Sequence, residues 1–475
     1  MSEERDQLII SLKENKHAPR FNYEATDMLT EDFLDVVNSF GKNLVELRQN
    51  KNERTASLMK IIRGLLNQAS KFIFNYMDLD VLKVDVTALD DLELVQLLEK
   101  IPFSKREELS QRPWRCIPID ISYDDIIIYK TAGTTAEPMR VPSHPIATGC
   151  YSPLLIEALK MWGIEPGFTS DSVGIALIGF QARSITTAAR LQALNNSGFT
   201  KLNIQETEWK DPLDPYRYLL AIQPKVLTGD AFSFAQLAHL GDLLIEKGEI
   251  KEHFNPKALI TTAVALKEKL RLTLKEKFKA EVIDLYSLTE TGPIAYGCKA
   301  GKGYHLLPHD IYIEVISGDG KKLPDGELGE ITVTGGRNPY FPLIRYRTGD
   351  WGRLDTSGEC ECGDTMPRIY DLEGRMPVLY HTKDQKWINN RDITAVLENF
   401  PVTKFVFHQD ASGSFSLTVR LAPYDNVTDE EILKERLLEL LGKDADLSIT
   451  IDPKLGDRLV GKVIPFTTDY ALFYD

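Results

Sequence analysis

A loop rich in threonine and glycine follows the apolar run Ile126–Tyr129. Its hydroxyl-bearing or side-chain-free members are Thr131, Gly133, Thr134 and Thr135. Hydroxyl groups and closely approaching backbone N–H groups are what a loop needs to bind phosphate oxygens. The spacing therefore predicts a phosphate-binding loop and ATP chemistry. Glu137 stands where a phosphate loop usually carries a lysine, and Arg140 is a candidate for the missing positive charge.

A second set of chemically capable residues is the segment from Asp284 to Glu290, which reads DLYSLTE at the end of a predicted strand. Tyr286 can stack on a base, Thr289 can contact a phosphate, and Glu290 can hold a divalent cation. The simpler interpretation is that Thr289 and Glu290 begin a helix, because both residue types favour first turns. By itself this short match favours the simpler interpretation.

Two further matches lie towards the C-terminus. The segment YRTGD ends at Asp350, whose carboxylate can accept both ribose hydroxyls, although a plain Gly-Asp hairpin turn explains it equally well. Gly374-Arg375 follows, and Gly461-Lys462 places a lysine on a glycine loop. A lone Gly-Lys pair is usually a solvated surface feature, so that match is weak by itself.

Composition narrows the functional classes. The chain has 475 residues and a net charge of −14, which argues against nucleic acid as a partner. Apolar runs such as Val173–Phe180 are far shorter than the roughly 20 residues of a membrane helix, and no membrane partner is expected. The N-terminal residues do not read as a signal peptide, and five cysteines do not suggest a disulfide framework, so we expect a cytoplasmic protein.

The patterns predict an α/β fold in two parts. Residues 1–373 are expected to form a large domain of layered sheets and helices, with a helical part over about 1–110. Residues 374–475 are expected to form a small α+β domain, joined by a hinge near Asp371–Pro377. In the segment IPFSKREEL, Ser104 and Glu107 have capping-box spacing. The segment Thr186–Asn195 is predicted to be one of the helices of the large domain.

The order of these segments resembles that of a known superfamily. The chain is similar to adenylate-forming enzymes of the acyl-CoA synthetase superfamily, and within it to the phenylacetate–CoA ligase group. The supporting segments are IPFSKREEL, DLYSLTETGP, PLIRYRTGDWGRL and ECECG. Signatures of serine hydrolases, P-loop ATPases and dinucleotide-binding dehydrogenases do not occur in the sequence.

The resemblance implies two half-reactions. A carboxylate attacks the α-phosphate of Mg-ATP to give an acyl-adenylate and pyrophosphate, and the CoA thiol then attacks the activated carbonyl. The partners implied are therefore a carboxylic acid, ATP, Mg²⁺ and CoA, and a homodimer is left open. Between the two steps the small C-terminal domain would rotate and withdraw Lys462.

The resemblance also implies roles for individual residues. The phosphate contacts fall to Thr131, Gly133, Thr134 and Thr135. The remaining nucleotide-binding positions are Ala263, Asp284, Leu285, Tyr286, Ser287, Asp350 and Arg375, of which Asp350 and Arg375 bind ribose. The catalytic positions are Thr289 at the α-phosphate, Glu290 at Mg²⁺ and Lys462 as the cation for adenylation.

Three cysteines and a histidine suggest a structural zinc site. Cys298 and His305 precede Cys360 and Cys362, and three thiolates with one imidazole make a closed tetrahedral set. Some phenylacetate–CoA ligase-like proteins resemble the chain in this arrangement. The alternative is four unligated residues, with His309 as a rival imidazole.

The chain departs from the family pattern at several positions. Glu137 replaces the loop lysine, Val264 replaces an acid beside the adenine, and Pro377 lies near the hinge. Phe180 and Phe232 either flank a flat acid or belong to the core.

Several alternatives remain open beside an aryl or arylacetic acid as substrate of a CoA ligase. The first is a small branched or hydroxy acid. The second is transfer of the acyl group to a carrier protein or an amine. The third is a degenerate member of the family that binds nucleotide without turnover.

Overall fold

The computed structural model describes most of the chain, in twelve stretches. These are residues 6–73, 75–130, 139–180, 185–262, 266, 268–308, 310–335, 337–373, 378–397, 399–421, 430–455 and 466–470. Within them the α-helices are α1 Gln7–Glu14, α2 Glu31–Gln49, α3 Lys51–Phe72, α4 Asp91–Lys100, α5 Arg106–Gln111, α6 Pro145–Gly149, α7 Tyr151–Met161, α8 Asp214–Ile222, α9 Ala231–Glu246, α10 Glu268–Phe278, α11 Asn390–Leu397 and α12 Glu430–Leu441.

The strands of the same residues alternate with these helices and then follow one another directly. They are β1 Tyr23–Glu24, β2 Ile127–Lys130, β3 Arg140–Ser143, β4 Val173–Gly179, β5 Thr187–Leu191, β6 Ser197–Asn203, β7 Val226–Gly229, β8 Ala258–Thr262, β9 Glu281–Leu288, β10 Gly292–Gly297, β11 Tyr304–Leu306, β12 Ile311–Ile316, β13 Gly329–Gly335, β14 Leu343–Asp355, β15 Arg368–Glu373, β16 Leu379–His381, β17 Trp387–Asn389, β18 Val402–Gln409, β19 Phe415–Leu421, β20 Leu447–Ile451 and β21 Phe466–Thr468.

The N-terminal part is largely helical, as predicted, and side chains define where its helices begin. Asn50 ends α2, and its side-chain oxygen accepts the backbone N–H groups of Asn52 and Glu53 at the start of α3. Asp90 and Glu93 form a reciprocal capping box at α4. These caps satisfy backbone donors that a helix leaves unpaired at its N-terminus.

The capping box predicted at Ser104 is wrong. Helix α5 begins two residues later, after Lys105, without a side-chain cap. The buried Ser104 hydroxyl instead donates to the Ile344 carbonyl oxygen at 2.8 Å and lies 2.6 Å from the Tyr76 hydroxyl. A buried hydroxyl gains more from these internal partners than from capping a short exposed helix, so Ser104 ties the turn after α3 to β14 instead.

One thirteen-stranded sheet organises residues 23–373, in the order β1-β5-β6-β4-β7-β8-β9-β10-β11-β15-β14-β13-β12. The strands β6, β4, β7, β8 and β9 are mutually parallel, as the alternation of strands and helices predicts. From β9 to β12 all neighbours are antiparallel. The mixed α/β fold is thus confirmed, with the parallel half giving way to an antiparallel half at β9.

Residues along the parallel strands alternate between two cores. Val226 and Ile260 belong to the core that includes α7, whereas Leu227 and Leu259 belong to the core that includes α8, α9 and α10. Successive side chains of a strand point to opposite faces. Helices therefore cover both faces of the parallel half, and the C-terminal ends of its strands open into a single cavity.

The predicted helix at Thr186–Asn195 is wrong. This segment forms the strand β5, which pairs with β6 from Thr187 opposite Lys201 to Leu191 opposite Ser197. A single 3-10 turn, Gln192–Leu194, follows it. The helix-favouring residues of this segment are overruled by pairing within the sheet, where packing against neighbouring strands outweighs intrinsic propensity.

The C-terminal residues form a smaller α+β unit. Strands β18 to β21 make a four-stranded sheet in the order β20-β19-β18-β21, and α11 and α12 pack against it. Its own core contains Tyr380, Phe407 and Leu437. The chain order β18, β19, α12 and β20 agrees with the α+β character predicted for these residues. The ring of Trp387 lies 6.3 Å from that of Phe232, so this unit touches the start of α9.

None of the described helices has both the length and the apolar character that a bilayer span requires.

Candidate active site

A cavity of about 900 Å³ lies where the parallel half of the sheet meets the antiparallel half. The C-terminal ends of β4, β7 and β8, the tip of the β9–β10 hairpin and the middle of β14 contribute to its wall. The sequence-predicted site residues that line it are Asp284, Leu285, Tyr286, Ser287, Thr289, Glu290 and Asp350. The structure thus brings together two motifs that are separated by some sixty residues of chain.

The β9–β10 hairpin positions the first of these motifs. Thr289 and Glu290 lie in its turn and not at a helix start, so the simpler interpretation of this segment is wrong. Gly292 has a φ of +72°, and a Cβ atom at this position would overlap the Tyr151 ring. A glycine is therefore required at this point for the turn to close against α7.

Asp284 is half-buried on the floor of the cavity. Its carboxylate accepts hydrogen bonds from the Thr261 hydroxyl at 2.7 Å and the Tyr304 hydroxyl at 2.6 Å. Burial raises the pKa of Asp284 above its ordinary value of 3.8. The two hydroxyl donors hold the carboxylate in one orientation at the C-terminal edge of the sheet.

Tyr286 connects β9 to β14. Its hydroxyl donates to Asp350 Oδ2 at 3.0 Å, and burial raises the pKa of Tyr286 well above 10. The phenol therefore stays protonated and acts as a donor. Asp350 lies within the long strand β14, just after Gly349 with a φ of +80°, so the predicted hairpin turn at this position is wrong. The carboxylate faces the cavity from a local irregularity in a continuous strand.

Glu290 has two hydrogen-bond donors that come from distant parts of the chain. Arg106 Nη1 lies 2.8 Å from Glu290 Oε1, and the Tyr346 hydroxyl donates to the same oxygen at 2.8 Å. The glutamate side chain is only 5% exposed, so this carboxylate is held by a charged and a neutral partner inside the protein. Arg106 was not predicted from the sequence as a site residue.

Several predicted site residues lie outside the described residues. These are Thr131, Gly133, Thr134, Thr135, Ala263, Arg375 and Lys462, together with the departures Glu137, Val264 and Pro377 and the rival zinc ligand His309. Arg140, the candidate for the missing loop cation, is described: it is exposed in β3 and does not line the cavity.

One end of the cavity is apolar. Its wall includes Leu29 from the N-terminal segment, Leu155 from α7, Leu191 from β5 and Phe199 from β6. The N-terminal segment 25–29 gave no sequence signal for a binding site, because its position depends on the pairing of β1 with β5 and on hydrogen bonds from Gln192 to Asp27 and Leu29.

Phe180 and Phe232 pack as core residues, which is the second of the two roles predicted for them, and do not flank a flat acid. Their ring centroids lie 5.4 Å apart at an interplanar angle of 74°, Phe180 packs against the core that contains α9, and Phe232 is buried. Neither residue lines the cavity. The two rings pack edge to face on each other and leave no slot for a flat ligand between them.

The four predicted zinc ligands converge beyond the opposite end of the hairpin. The ligand atoms of Cys298, His305, Cys360 and Cys362 all lie within 4.8 Å of one another. Cys298 Sγ lies 3.5 Å from Cys360 Sγ, and Cys362 Sγ lies 3.2 Å from His305 Nε2. A sulfur–sulfur disulfide bond is about 2 Å long, so these thiols are not bridged.

The surroundings of His305 orient it towards the sulfur atoms. Its Nδ1 lies 3.1 Å from the Met366 carbonyl oxygen, which can only accept, so Nδ1 carries the proton and Nε2 presents its lone pair to the cluster. Two ligands held about 2.3 Å from a tetrahedral zinc ion lie about 3.8 Å apart. The donor set and spacing therefore fit zinc, and the histidine has the outer hydrogen bond that metal-bound imidazoles usually make.

A buried arginine supports the loop that carries two of these cysteines. Arg48 Nη1 donates to Asp364 at 2.9 Å and to the Tyr296 hydroxyl at 3.1 Å, while its Nε donates to Glu157. Helices α2 and α7, strand β10 and the cysteine loop are thereby joined. The two other cysteines, Cys116 and Cys150, are buried and unbridged, which agrees with the expectation that the cysteines form no disulfide framework.

Comparison with curated proteins finds phenylacetate–CoA ligases. The enzyme of Pseudomonas putida is 23% identical over 270 residues, covering 56% of this chain and 59% of that protein. The enzyme of Thermus thermophilus is 25% identical over 289 residues, covering 58% of this chain and 61% of that protein. The chain thus matches about three-fifths of the length of these relatives. No protein-family model matches the sequence.

Comparison with solved structures finds the same kind of fold. A 2-hydroxyisobutyryl-CoA ligase bound to 2-HIB-AMP and CoA in its thioesterification state superimposes with a TM-score of 0.57. It is 17% identical, and the match covers 89% of this chain and 91% of that one. The same ligase in its postadenylation state gives a TM-score of 0.53. The resemblance to adenylate-forming acyl-CoA ligases is thereby confirmed, and the fold is theirs.

Proposed function

We propose that this protein is an AMP-forming acid–CoA ligase. The observation that carries the proposal is the convergence of DLYSLTE and YRTGD on one cavity, where Tyr286 donates to Asp350 and Glu290 lies at the tip of the hairpin. The likeness to phenylacetate–CoA ligases and to the fold of a CoA ligase supports the same reaction class.

The cavity side chains suit the separate parts of ATP. Asp350 offers carboxylate oxygens to the ribose hydroxyls, and its bond from Tyr286 keeps it oriented. Asp284, Leu285 and Ser287 line the wall beside it, where the adenine would lie. Glu290 would bind Mg²⁺ and Thr289 would contact the α-phosphate, so that the charge developing on the phosphates is neutralised.

Residues outside the described part complete this proposal. Thr131, Gly133, Thr134 and Thr135 would hold phosphate oxygens, and Ala263 and Arg375 would contact the nucleoside. Lys462 would supply the cation for adenylation from a mobile domain spanning 374–475. Rotation of that domain about the hinge would withdraw the lysine before CoA attacks the acyl-adenylate.

The apolar end of the cavity supports an acid with an apolar body. Leu29, Leu155, Leu191 and Phe199 form a wall on which an aryl or arylacetic side chain would lose water-exposed surface. The carboxylate of such an acid would then face the α-phosphate near Thr289. We therefore propose an aryl or arylacetic acid as the substrate.

We also propose that Cys298, His305, Cys360 and Cys362 bind a structural zinc ion. The set has four protein ligands, which is typical of closed structural sites, whereas catalytic sites keep a position for water. The ion would hold the loop before β15 against the end of β10. Its role would be to stabilise the fold and not to activate the substrate.

The decisive experiment is carboxylate-dependent ATP–pyrophosphate exchange over a panel of aryl, arylacetic, branched and hydroxy acids. We expect exchange with at least one acid and near-complete loss of exchange in the variant Lys462→Ala. Absence of exchange with every acid would overturn adenylation and favour a degenerate nucleotide-binding protein. Full exchange without Lys462 would overturn its role.

The acceptor is identified in a second assay that starts from the acid giving the fastest exchange. We expect CoA to be converted to its acyl thioester with release of AMP. Rapid exchange without thioester formation, together with acylation of a carrier-protein pantetheine or an amine, would replace CoA as the proposed acceptor. Metal analysis of the purified protein should give about one zinc ion per chain.

A further inference from the structure

The described wall of the cavity has an unusual charge balance for an ATP site. Near the proposed nucleotide its acidic members are Asp284, Glu290 and Asp350, and its basic member is Arg106, whereas a fourth acid, Asp27, lies in the segment 25–29. ATP is itself a polyanion, so a wall dominated by carboxylates repels it unless cations offset them. A bound Mg²⁺ ion supplies part of this offset, and the protein must supply the rest.

The sequence of the predicted phosphate loop supplies none of the positive charge that ATP requires. The residues 131–138 read TAGTTAEP, with an acid and no base. Arg140 is exposed in β3 and lies outside the cavity wall. Among the described residues of the wall, the cation that can meet the phosphates before the C-terminal lysine arrives is Arg106.

Arg106 is held where such a cation would be needed. Its side chain is 16% exposed, and its Nη1 lies 2.8 Å from Oε1 of Glu290, the carboxylate proposed to bind Mg²⁺. A guanidinium group has five N–H donors in a planar fork that matches phosphate oxygens. The Tyr346 hydroxyl, which donates to the same Oε1 atom, keeps the carboxylate end of the pair in place.

We propose that Arg106 binds the β- and γ-phosphates of ATP and takes over the role of the absent loop lysine. This inference rests on the proposed ATP site, because Glu290 and Asp350 define which end of the cavity holds phosphate and which holds ribose. Arg106 would bridge Glu290 and the phosphates, and it would stabilise the pyrophosphate that leaves when the acyl-adenylate forms.

The test compares ATP with AMP, because AMP lacks the phosphates that Arg106 would contact. Calorimetric titration of the full-length protein with each nucleotide would be performed for the wild type, Arg106→Gln and Arg106→Lys. We expect Arg106→Gln to weaken ATP binding at least tenfold, about 1.4 kcal/mol, and to change AMP binding less than about twofold. Arg106→Lys should restore part of the affinity. Arg112→Gln, an exposed arginine at the end of the same helix, is the matched control.

A repeat of the titration without Mg²⁺ separates direct phosphate binding from an effect through Glu290. If Arg106 contacts phosphate, the loss in Arg106→Gln persists when Mg²⁺ is removed. If the loss disappears, or if AMP and ATP weaken equally, Arg106 only positions Glu290 and the inference is wrong. Wild-type protein that binds neither nucleotide would instead overturn the proposed function, and thermal unfolding of each variant identifies any that fails to fold.

Discussion

The two ends of the β9–β10 hairpin carry polar clusters of opposite character. At the turn, Glu290 and its neighbours face a cavity of about 900 Å³, and their partners come from α5 and β14. At the other end, Cys298 and His305 meet the loop that carries Cys360 and Cys362, with all four ligand atoms within 4.8 Å of one another. Six residues of β10 separate the ends by about 20 Å.

On the proposed function, one strand pair would support both turnover and stability. Oxygen donors at the cavity hydrogen-bond to one another and can exchange these partners for a nucleotide or a hard cation. Sulfur and imidazole donors at the other end are soft ligands that close upon an ion and leave no open position. Changes at the cavity should therefore alter activity, whereas changes at the cysteines should alter stability.

The largest effect is expected from Glu290→Gln at the cavity. Loss of the carboxylate charge removes the proposed Mg²⁺ ligand, and we expect ATP–pyrophosphate exchange to fall about a hundredfold or more. Exchange would be measured over a range of Mg²⁺ concentrations, with the exposed Glu107→Gln on α5 as the control. Wild-type exchange in the Glu290 variant at low Mg²⁺ would show that this end of the hairpin does not bind the metal.

The next largest effect is expected from Cys362→Ser at the other end. We expect zinc content to fall well below one ion per chain and the free energy of unfolding to fall by about 4 kcal/mol, because loss of a metal site is among the most damaging changes. Metal analysis and urea denaturation would measure both quantities. Cys150→Ser, a buried cysteine outside the cluster, should retain zinc.

Loss of activity in a folded cysteine variant would contradict the separation of activity and stability between the two ends of the hairpin. If Cys362→Ser lost exchange activity at temperatures where it remains folded, the two ends of the hairpin would not be separable into activity and stability. The same assay on the two cysteine variants decides this, since each replaces one sulfur by oxygen.

A smaller effect is expected at the apolar end of the cavity. Leu155→Ala should enlarge the cavity at this end. We expect the preference for bulkier acids, measured as the ratio of kcat/KM values, to rise about tenfold, the usual scale for a small change in pocket volume. The ratio for a large and a small acid would be measured. Leu243→Ala, a partly buried leucine of α9 outside the cavity wall, should leave that ratio unchanged.

The smallest effect concerns the pH dependence of stability at Asp284. Burial raises the pKa of its carboxyl above 3.8 in the folded state, so the folded state retains a proton that the unfolded chain releases. The contribution of Asp284 to stability therefore decreases as the pH rises from about 3.8 through the raised pKa. We expect Asp284→Asn to gain stability relative to the wild type over that rise, as measured by urea denaturation at several pH values. A constant difference between the two proteins would contradict the raised pKa.

Sequence patterns predicted the structure best where informative residue types lie together in one short segment. DLYSLTE and YRTGD carry residue types suited to a nucleotide, and both line the cavity. The strands Ile311–Ile316 and Leu447–Ile451 can be located from the sequence, because their apolar residues lie between clear turn signals. Thr186–Asn195 was predicted wrongly, because the segment contains helix formers but pairs with β6.

The amino-acid sequence by itself predicted the mixed α/β fold, the proposed reaction class and the four side chains of the cysteine and histidine cluster, because these depend on residue types in a given order. Only the tertiary structure decided that Arg106 meets Glu290 across 184 positions of the chain and that residues 25–29 line the apolar end of the cavity. Such contacts depend on which strands become neighbours in the sheet. Local periodicity does not indicate which strands become neighbours, because strand order arises from packing between distant segments.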